Sequence, residues 1–420
     1  MSALAIKGGE PVRTKPWPDW PDRRDEDVRA VAEVVASGKW WQYAGENTAS
    51  FEREFAAYQG AQHGVTVNSG TTALHVALLA LGIGPGDEVI VPAYTFQATA
   101  SSVLLSNAVP VFADVAPETM NLDPDSVAAA ITPRTKAILP VHLAGLPADM
   151  ARLQELAAKH GLLILEDAAQ AHGAIWRGRK VGSIGHAGAF SFQASKNLCS
   201  GEGGFITTND SDVAAMAAGL RDCGRAAGRP FYEHHLIGYN FRLTEMQSAL
   251  LRSRLQHLEA ETERRFRNGR ALTQQLSQLP GITPLDPEPK AGDRRAYHLY
   301  PVRIYPDQLG GMTRDAFIEA LAAEGIPAMA GYGRPLYENP VFQEGHFHQH
   351  GCPVNCAHYA GKVDYTQVSC PVTERLCREV VWLFHNVLLG GGEDIADVSR
   401  AFEKVVAASR GGGSSGRFAD

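Results

Sequence analysis

The chain has 420 residues, 45% of them hydrophobic and 20% charged, which excludes extended disorder and gives length enough for two domains with real cores. A formal net charge of -7 offers no basic footprint for nucleic acid or for an anionic membrane surface. No stretch approaches the roughly 18 apolar residues of a membrane helix, and the six cysteines are too sparse for a disulfide scaffold, so a soluble cytoplasmic protein with reduced thiols is expected.

From Val65 to Asn209, short apolar or β-branched runs alternate with amphipathic stretches, the pattern of βα units on a mostly parallel sheet. Seven runs read as strands: 65–70, 88–93, 109–115, 136–142, 162–169, 187–193 and 204–209. They are apolar throughout, as strands buried on both faces should be. Thr244 and Gln247 then fit a capping box, and Met246, Leu250, Leu251, Leu255 and Leu258 recur at helical spacing, predicting a long helix. After Leu279-Pro280-Gly281 the pattern restarts in shorter units, with a strand at 297–304 and helices at 314–325 and 394–408. The predicted organisation is α/β: a large domain over 1–255 with an N-terminal arm, a small α/β domain over 256–406, and a flexible tail over 407–420. No internal repeat is present.

Polar residues gather where strands end, the edge at which open α/β sheets bind ligands. Ser69-Gly70-Thr71-Thr72 stands at a strand-to-helix junction, either a phosphate cradle or an ordinary hydroxyl cap. Glu166 and Asp167 close the most apolar strand and are followed by Gln170 and His172. A carboxylate there needs a cation, whether a ligand's protonated nitrogen or a protein side chain. Lys196 lies in a run of small and apolar residues, surroundings that suit a nucleophilic amine, although a lone lysine is ordinarily solvated. Asp167, Ser191, Lys196 and the Ser69–Thr72 junction together supply what pyridoxal phosphate requires: a partner for the ring nitrogen, an amine for the aldehyde and donors for the phosphate.

On these residues, and on the segments SGTTALHVAL, GDEVIVPAYTFQATA, PVFADV, NLDP, ITPRTKAILPVHLAG, EDAAQAHGA, FSFQASKNLCSGEGG and GYNFRLTEMQSAL, the chain resembles the DegT/DnrJ/EryC1/StrS family of sugar and cyclitol aminotransferases over about residues 10–406. The resemblance implies a fold-type I pyridoxal phosphate transferase in which Lys196 carries the cofactor and Asp167 holds the pyridinium charge. It also implies that Gln170 lies near the phenolic oxygen, that Gly70, Thr71 and Ser191 bind the phosphate, and that Phe96 stacks on the ring. Asn240 matches an asparagine that the family delivers from the partner subunit, which implies a homodimer with shared active sites. Arg242 beside it reads equally as an ion pair or a substrate contact. The implied reaction moves an amino group from L-glutamine or L-glutamate to the ketone of a cyclitol or sugar. Lys196 argues against the branch of the family that dehydrates.

The opening GGEPVRTKPWPDWP and the pair Trp40-Trp41 resemble glutamine:scyllo-inosose aminotransferases and 3-amino-5-hydroxybenzoate synthases. Nucleotide-keto-sugar aminotransferases and a non-catalytic regulator of the same fold are the alternatives. The intact set Asp167, Ser191, Lys196 and Asn240 speaks against the regulator. Tyr332, Arg334 and Tyr337, in a loop where the family faces its substrate, are candidate contacts, against the reading of an aromatic loop that is simply packed. His346, His348, His350, Cys352, Cys356 and His358 raise a zinc site, but no second paired element completes one and no metal is expected. Gly82, Gly84 and Gly86 follow a helix and precede a strand, the reverse of a dinucleotide fingerprint.

Overall fold

Apolar runs flanked by helical segments assemble into one sheet covered on both faces. The computed structural model describes residues 3–348, 351–355 and 357–411. Strands β1 (His63–Val67), β2 (Glu88–Pro92), β3 (Val109–Ala113), β4 (Thr135–Ile138) and β5 (Leu163–Asp167) are followed by a small hairpin of β6 (Ile175–Trp176) and β7 (Arg179–Lys180). Strands β8 (Ala187–Ser191) and β9 (Gly204–Thr208) complete a seven-stranded sheet in the order β1-β9-β8-β5-β4-β2-β3. Pairing is parallel from β8 to β3, whereas β9 runs antiparallel to both β8 and β1. All seven expected strands are present, and β1 shares the direction of β8.

Side chains alternate across the pleat and so build two cores. Val89, Val91, Leu139 and Leu165 face the helices Gly70–Ala80 and Ala98–Leu105, while Ile90, Ile138 and Ile164 face Asn47–Gln59, Met150–His160 and the long helix Glu245–Leu276. That long helix starts in the expected capping box, with Thr244 and Gln247 each bonding the other's backbone, and runs unbroken past 255. Phe51 and Phe55, one helical turn apart, drive Asn47–Gln59 onto the sheet, where they meet Phe190, Phe192 and Phe205.

A second, antiparallel sheet has the order β10 (Ile282–Pro284), β11 (Leu299–Ile304), β13 (Val380–Phe384), β12 (Ala328–Ala330). Its core includes Phe317 and Phe402 from the helices Arg314–Ala323 and Gly392–Gly411. The N-terminal arm, grouped by sequence position with 1–255, makes its contacts here. Leu4 enters this core, and the buried Glu324 carboxylate accepts from Ala5 N at 2.8 Å and Val12 N at 3.1 Å and pairs with Lys404 at 2.8 Å. The last helix continues through 407–411, where the tail was expected to begin, and residues 412–420 lie outside the described residues. Among the described residues no helix is long and apolar enough to cross a membrane.

Two hydrogen bonds join the sheets at the place that matters for the site. Ala296 N donates to Gly145 O at 2.9 Å and His298 N to Ala144 O at 3.2 Å, which seats β11 against the loop after β4.

Candidate active site

The carboxyl ends of β1, β2, β4, β5 and β8 and the inner edge of the small sheet enclose a cavity of about 500 Å³. Gly70, Thr71, Phe96, Asp167, Gln170, Ser191, Lys196 and Tyr332 all line it. Residues up to 262 positions apart in sequence (332 minus 70) are thus brought to one place.

At one end, Ser69 caps the helix Gly70–Ala80: its hydroxyl accepts from Thr72 N at 3.1 Å. The first turn leaves backbone N–H groups pointing into the cavity. A Cβ at Gly70 would stand 2.6 Å from Ser191 Cβ, and one at Gly204 would stand 2.1 Å from Ser69 O. The helix end, β8 and β9 therefore approach more closely than any side chain permits. The N-terminal end of the helix thus borders the cavity with no side chain between it and Ser191.

Asp167 and Glu166 are adjacent on β5 and, by the pleat, face opposite ways. Glu166 points into the packing and is fully satisfied: it accepts from Gly182 N at 2.8 Å, Ile184 N at 2.7 Å and Gly185 N at 2.6 Å, and from His142 Nε2 at 2.9 Å. His142 Nδ1 accepts from Ala148 N, so Nε2 carries the proton. Burial opposes the Glu166 charge, but His142 and the N–H groups outweigh it and hold the carboxyl below its usual value. Asp167 faces the cavity with fewer partners, accepting from Thr99 Oγ1 at 2.9 Å and Ala169 N at 3.2 Å. Burial pushes its carboxyl above the usual value against these bonds and the Lys196 charge. A cation placed against Asp167 would relieve that cost.

Lys196 follows β8 on a turn closed by three backbone bonds, Lys196 N to Gln193 O, Ala194 N to Gly201 O and Ser200 N to Phe192 O, each 2.9 Å. His385 braces the turn from the small sheet, donating from Nε2 to Ser195 O at 3.1 Å. Enclosure lowers the Lys196 amine to about 8, with Asp167 pulling the other way. Gln170 bridges the sheets: its Oε1 accepts from Ala144 N at 2.7 Å and its Nε2 donates to Tyr332 Oη at 3.3 Å.

Other expected residues stand at the mouth of the cavity or away from it. Phe96 is 61% exposed at the cavity mouth. Arg334 is exposed and does not line the cavity. Tyr337 is buried in the packing beside Phe112, its hydroxyl donating to Glu374 at 2.8 Å and accepting from Cys370 N at 3.0 Å. Its ring is held by the core, which corrects the reading of Tyr337 as a substrate contact. Asn240 is exposed and bridges only to Asp222, outside this cavity. Arg242 makes an ion pair with Asp222 at 2.6 Å. His350 and Cys356 lie outside the described residues, among which no three His, Cys, Asp or Glu side chains are grouped to hold a metal.

The sequence pattern of the DegT/DnrJ/EryC1/StrS aminotransferases matches residues 21–403. The chain belongs to that family. An L-glutamine:2-deoxy-scyllo-inosose aminotransferase of Streptomyces paromomycinus is 41% identical over 419 residues, spanning 96% of this chain and 97% of that protein. The crystal structure of 3-amino-5-hydroxybenzoic acid synthase has a TM-score of 0.84 at 36% identity, over 94% of this chain and 100% of that one. NtdA of Bacillus subtilis, solved with bound cofactor PMP, has a TM-score of 0.78 at 25% identity, over 94% of this chain and 86% of that one.

Within this DegT-family cavity, sequence reasoning missed Thr99, His298, Met329, Trp382 and Phe384. Thr99 sits in an ordinary helical stretch and meets Asp167 only through the fold. Trp382 and Phe384 belong to β13, whose apolar VVWLF run is itself a strand signal.

Proposed function

We propose that the protein is a pyridoxal phosphate-dependent aminotransferase that moves an amino group from L-glutamine to the ketone of an uncharged cyclitol. The observation that carries this reading is the convergence of Lys196, Asp167 and the Gly70–Ser191 cradle on one cavity. The residues fit the cofactor: the cradle suits its phosphate, the underpaired Asp167 suits its protonated ring nitrogen, and among the described residues Lys196 is the only lysine or arginine in the lining. The closely related L-glutamine:2-deoxy-scyllo-inosose aminotransferase supports the donor and the acceptor class.

Pyridoxal phosphate, when bound, supplies an aldehyde that condenses with amines and a ring that accepts the electron pair of a broken C–H bond. The chain's own residues do the rest. Gly70, Thr71 and Ser191 bind the phosphate through backbone N–H and hydroxyl groups. Asp167, held by Thr99 and Ala169, keeps a proton on the ring nitrogen. Lys196, once its amine is free, takes the donor's Cα proton at Nζ and returns a proton in the same pocket. An amine near 8 does both close to neutral pH. Gln170, tied to Ala144 and Tyr332, holds the far side of the site, and Phe96 covers its mouth.

The glutamine:scyllo-inosose aminotransferases among its relatives favour an uncharged cyclitol acceptor over a nucleotide-linked sugar. We also assign a homodimer. Trp41, Tyr43 and Phe231 form an exposed aromatic cluster, Tyr232 and Ile237 project beside it, and Asn240 lies on the same segment. Such a patch is expected at an interface, with Asn240 reaching the partner's cradle. The test is amino transfer from L-glutamine to 2-deoxy-scyllo-inosose, followed by product mass. Transfer only to a nucleotide-linked keto-sugar would overturn the acceptor assignment, and a monomer that is fully active would overturn the shared site.

A further inference from the structure

One buried titratable side chain in the cavity has no role in the reading above. His298 stands one residue before β11, is only 5% exposed and lines the cavity with Lys196. Its backbone is fixed by the bond to Ala144 and by the ladder of β11, which pairs Leu299 with Phe384. The preceding Tyr297 has φ +49, an uncommon conformation for a residue with a large side chain, secured by its hydroxyl on Asp286 at 2.8 Å. The chain is therefore held in a costly turn that presents His298 at this place. Yet the imidazole makes no hydrogen bond to any described residue, and its buried Nδ1 is left without a partner. A buried polar ring without partners is expensive unless a ligand supplies them.

The neighbourhood decides what that ligand group is. His298 lies 5.8 Å from His385, ring to ring, and Lys196, His172 and the fully buried Arg265 are near enough to act on both imidazoles. Burial, and after it these neighbouring groups, disfavour a positive charge here, so the ring stays neutral and keeps one donor and one acceptor nitrogen. A hydroxyl, which also donates and accepts, can pair with the ring whichever nitrogen carries the proton; a carboxylate can use only the N–H. Beside it, Leu299, Met329, Trp382 and Phe384 form an apolar wall. A polyhydroxylated ring presents that combination, with C–H groups on its face and hydroxyls at its rim.

We propose that His298 determines acceptor specificity by hydrogen-bonding a ring hydroxyl of an uncharged polyol ketone seated on the Trp382 wall. The proposal rests on the aminotransferase reading above and is separable from it. The holoenzyme is titrated calorimetrically with scyllo-inositol, an unreactive polyol, and its two half-reactions are followed separately by the visible spectrum, with L-glutamine and then with 2-deoxy-scyllo-inosose. His298→Phe should weaken scyllo-inositol binding and raise the acceptor KM by about tenfold, the effect of one uncharged hydrogen bond. The glutamine half-reaction should stay within about threefold and the cofactor spectrum should be unchanged. His298→Gln, which keeps a donor and an acceptor, should recover part of the loss and serves if the phenylalanine variant folds poorly. Wild-type binding of scyllo-inositol by His298→Phe, or equal losses in both half-reactions, would overturn the proposal. A wild-type protein that accepts no amino group from L-glutamine would instead overturn the reading on which it rests, and one that aminates only ketones without hydroxyls would remove the role of His298 alone.

Discussion

Replacing the Asp167 carboxylate should lower the titration of Lys196 further, as loss of a salt-bridge partner does, from a value that burial has already depressed. Burial lowers the Lys196 amine to about 8, and Asp167 only partly offsets this. At about pH 7.5 a group near 8 is about one quarter neutral, against about 0.1% for an ordinary lysine near 10.4, so the free amine is enriched about 200-fold. Asp167→Asn removes the one opposing charge and should move the titration lower still. The assay is competitive acetylation of the cofactor-free protein across pH, with the Lys196 peptide quantified by mass spectrometry against surface lysines. The wild-type midpoint should lie near 8 and that of Asp167→Asn below it. A wild-type midpoint near 10, or an upward shift in the variant, would refute the claim that enclosure makes this lysine a nucleophile.

Three further outcomes follow from the geometry. Gly70→Ala would bring a Cβ to 2.6 Å from Ser191 Cβ and open the cradle, so the variant should lose its visible cofactor band on dialysis under conditions in which the wild type keeps it. Thr99→Val removes the 2.9 Å bond to Asp167 and should slow the glutamine half-reaction by about 10- to 100-fold, from roughly 1.5–3 kcal/mol for a hydrogen bond to a charged group, with Thr99→Ser recovering most of it. Glu166→Gln replaces an acceptor-only carboxylate by an amide whose NH2 must face a buried N–H donor, and should cost about 1–3 kcal/mol in urea unfolding. Because Glu166 is held below its usual value, its contribution is present at neutral pH and is lost only as pH falls through the lowered value. The variant's stability should therefore depend less on pH in the acid range than the wild type's does.

The sequence reveals elements whose signal is local. The seven large-sheet strands are apolar runs, and Asp167 and Lys196 stand out because charged groups interrupt such runs at their ends. The helix Asn47–Gln59 is less visible, since Phe51 and Phe55 are its only large, fully apolar side chains and their partners Phe190, Phe192 and Phe205 come from distant strands. Thr99 and His298 were out of reach for the same reason: 68 residues separate Thr99 from Asp167, and His298 enters the cavity only through the docking of β11 on Ala144. Tyr337 shows the converse. Its loop is rich in aromatic residues, but the bonds to Glu374 and Cys370 that commit it to packing cannot be read from the loop.

The claim on which everything else depends is that Lys196 is the residue that carries the cofactor. Borohydride reduction of the reconstituted, coloured protein, followed by peptide mapping, tests it most directly. The visible band should be lost and a reduced pyridoxal phosphate adduct should appear on the peptide containing Lys196, with no stable adduct in Lys196→Ala. An adduct on another lysine, or amino transfer over many turnovers by Lys196→Ala, would contradict it.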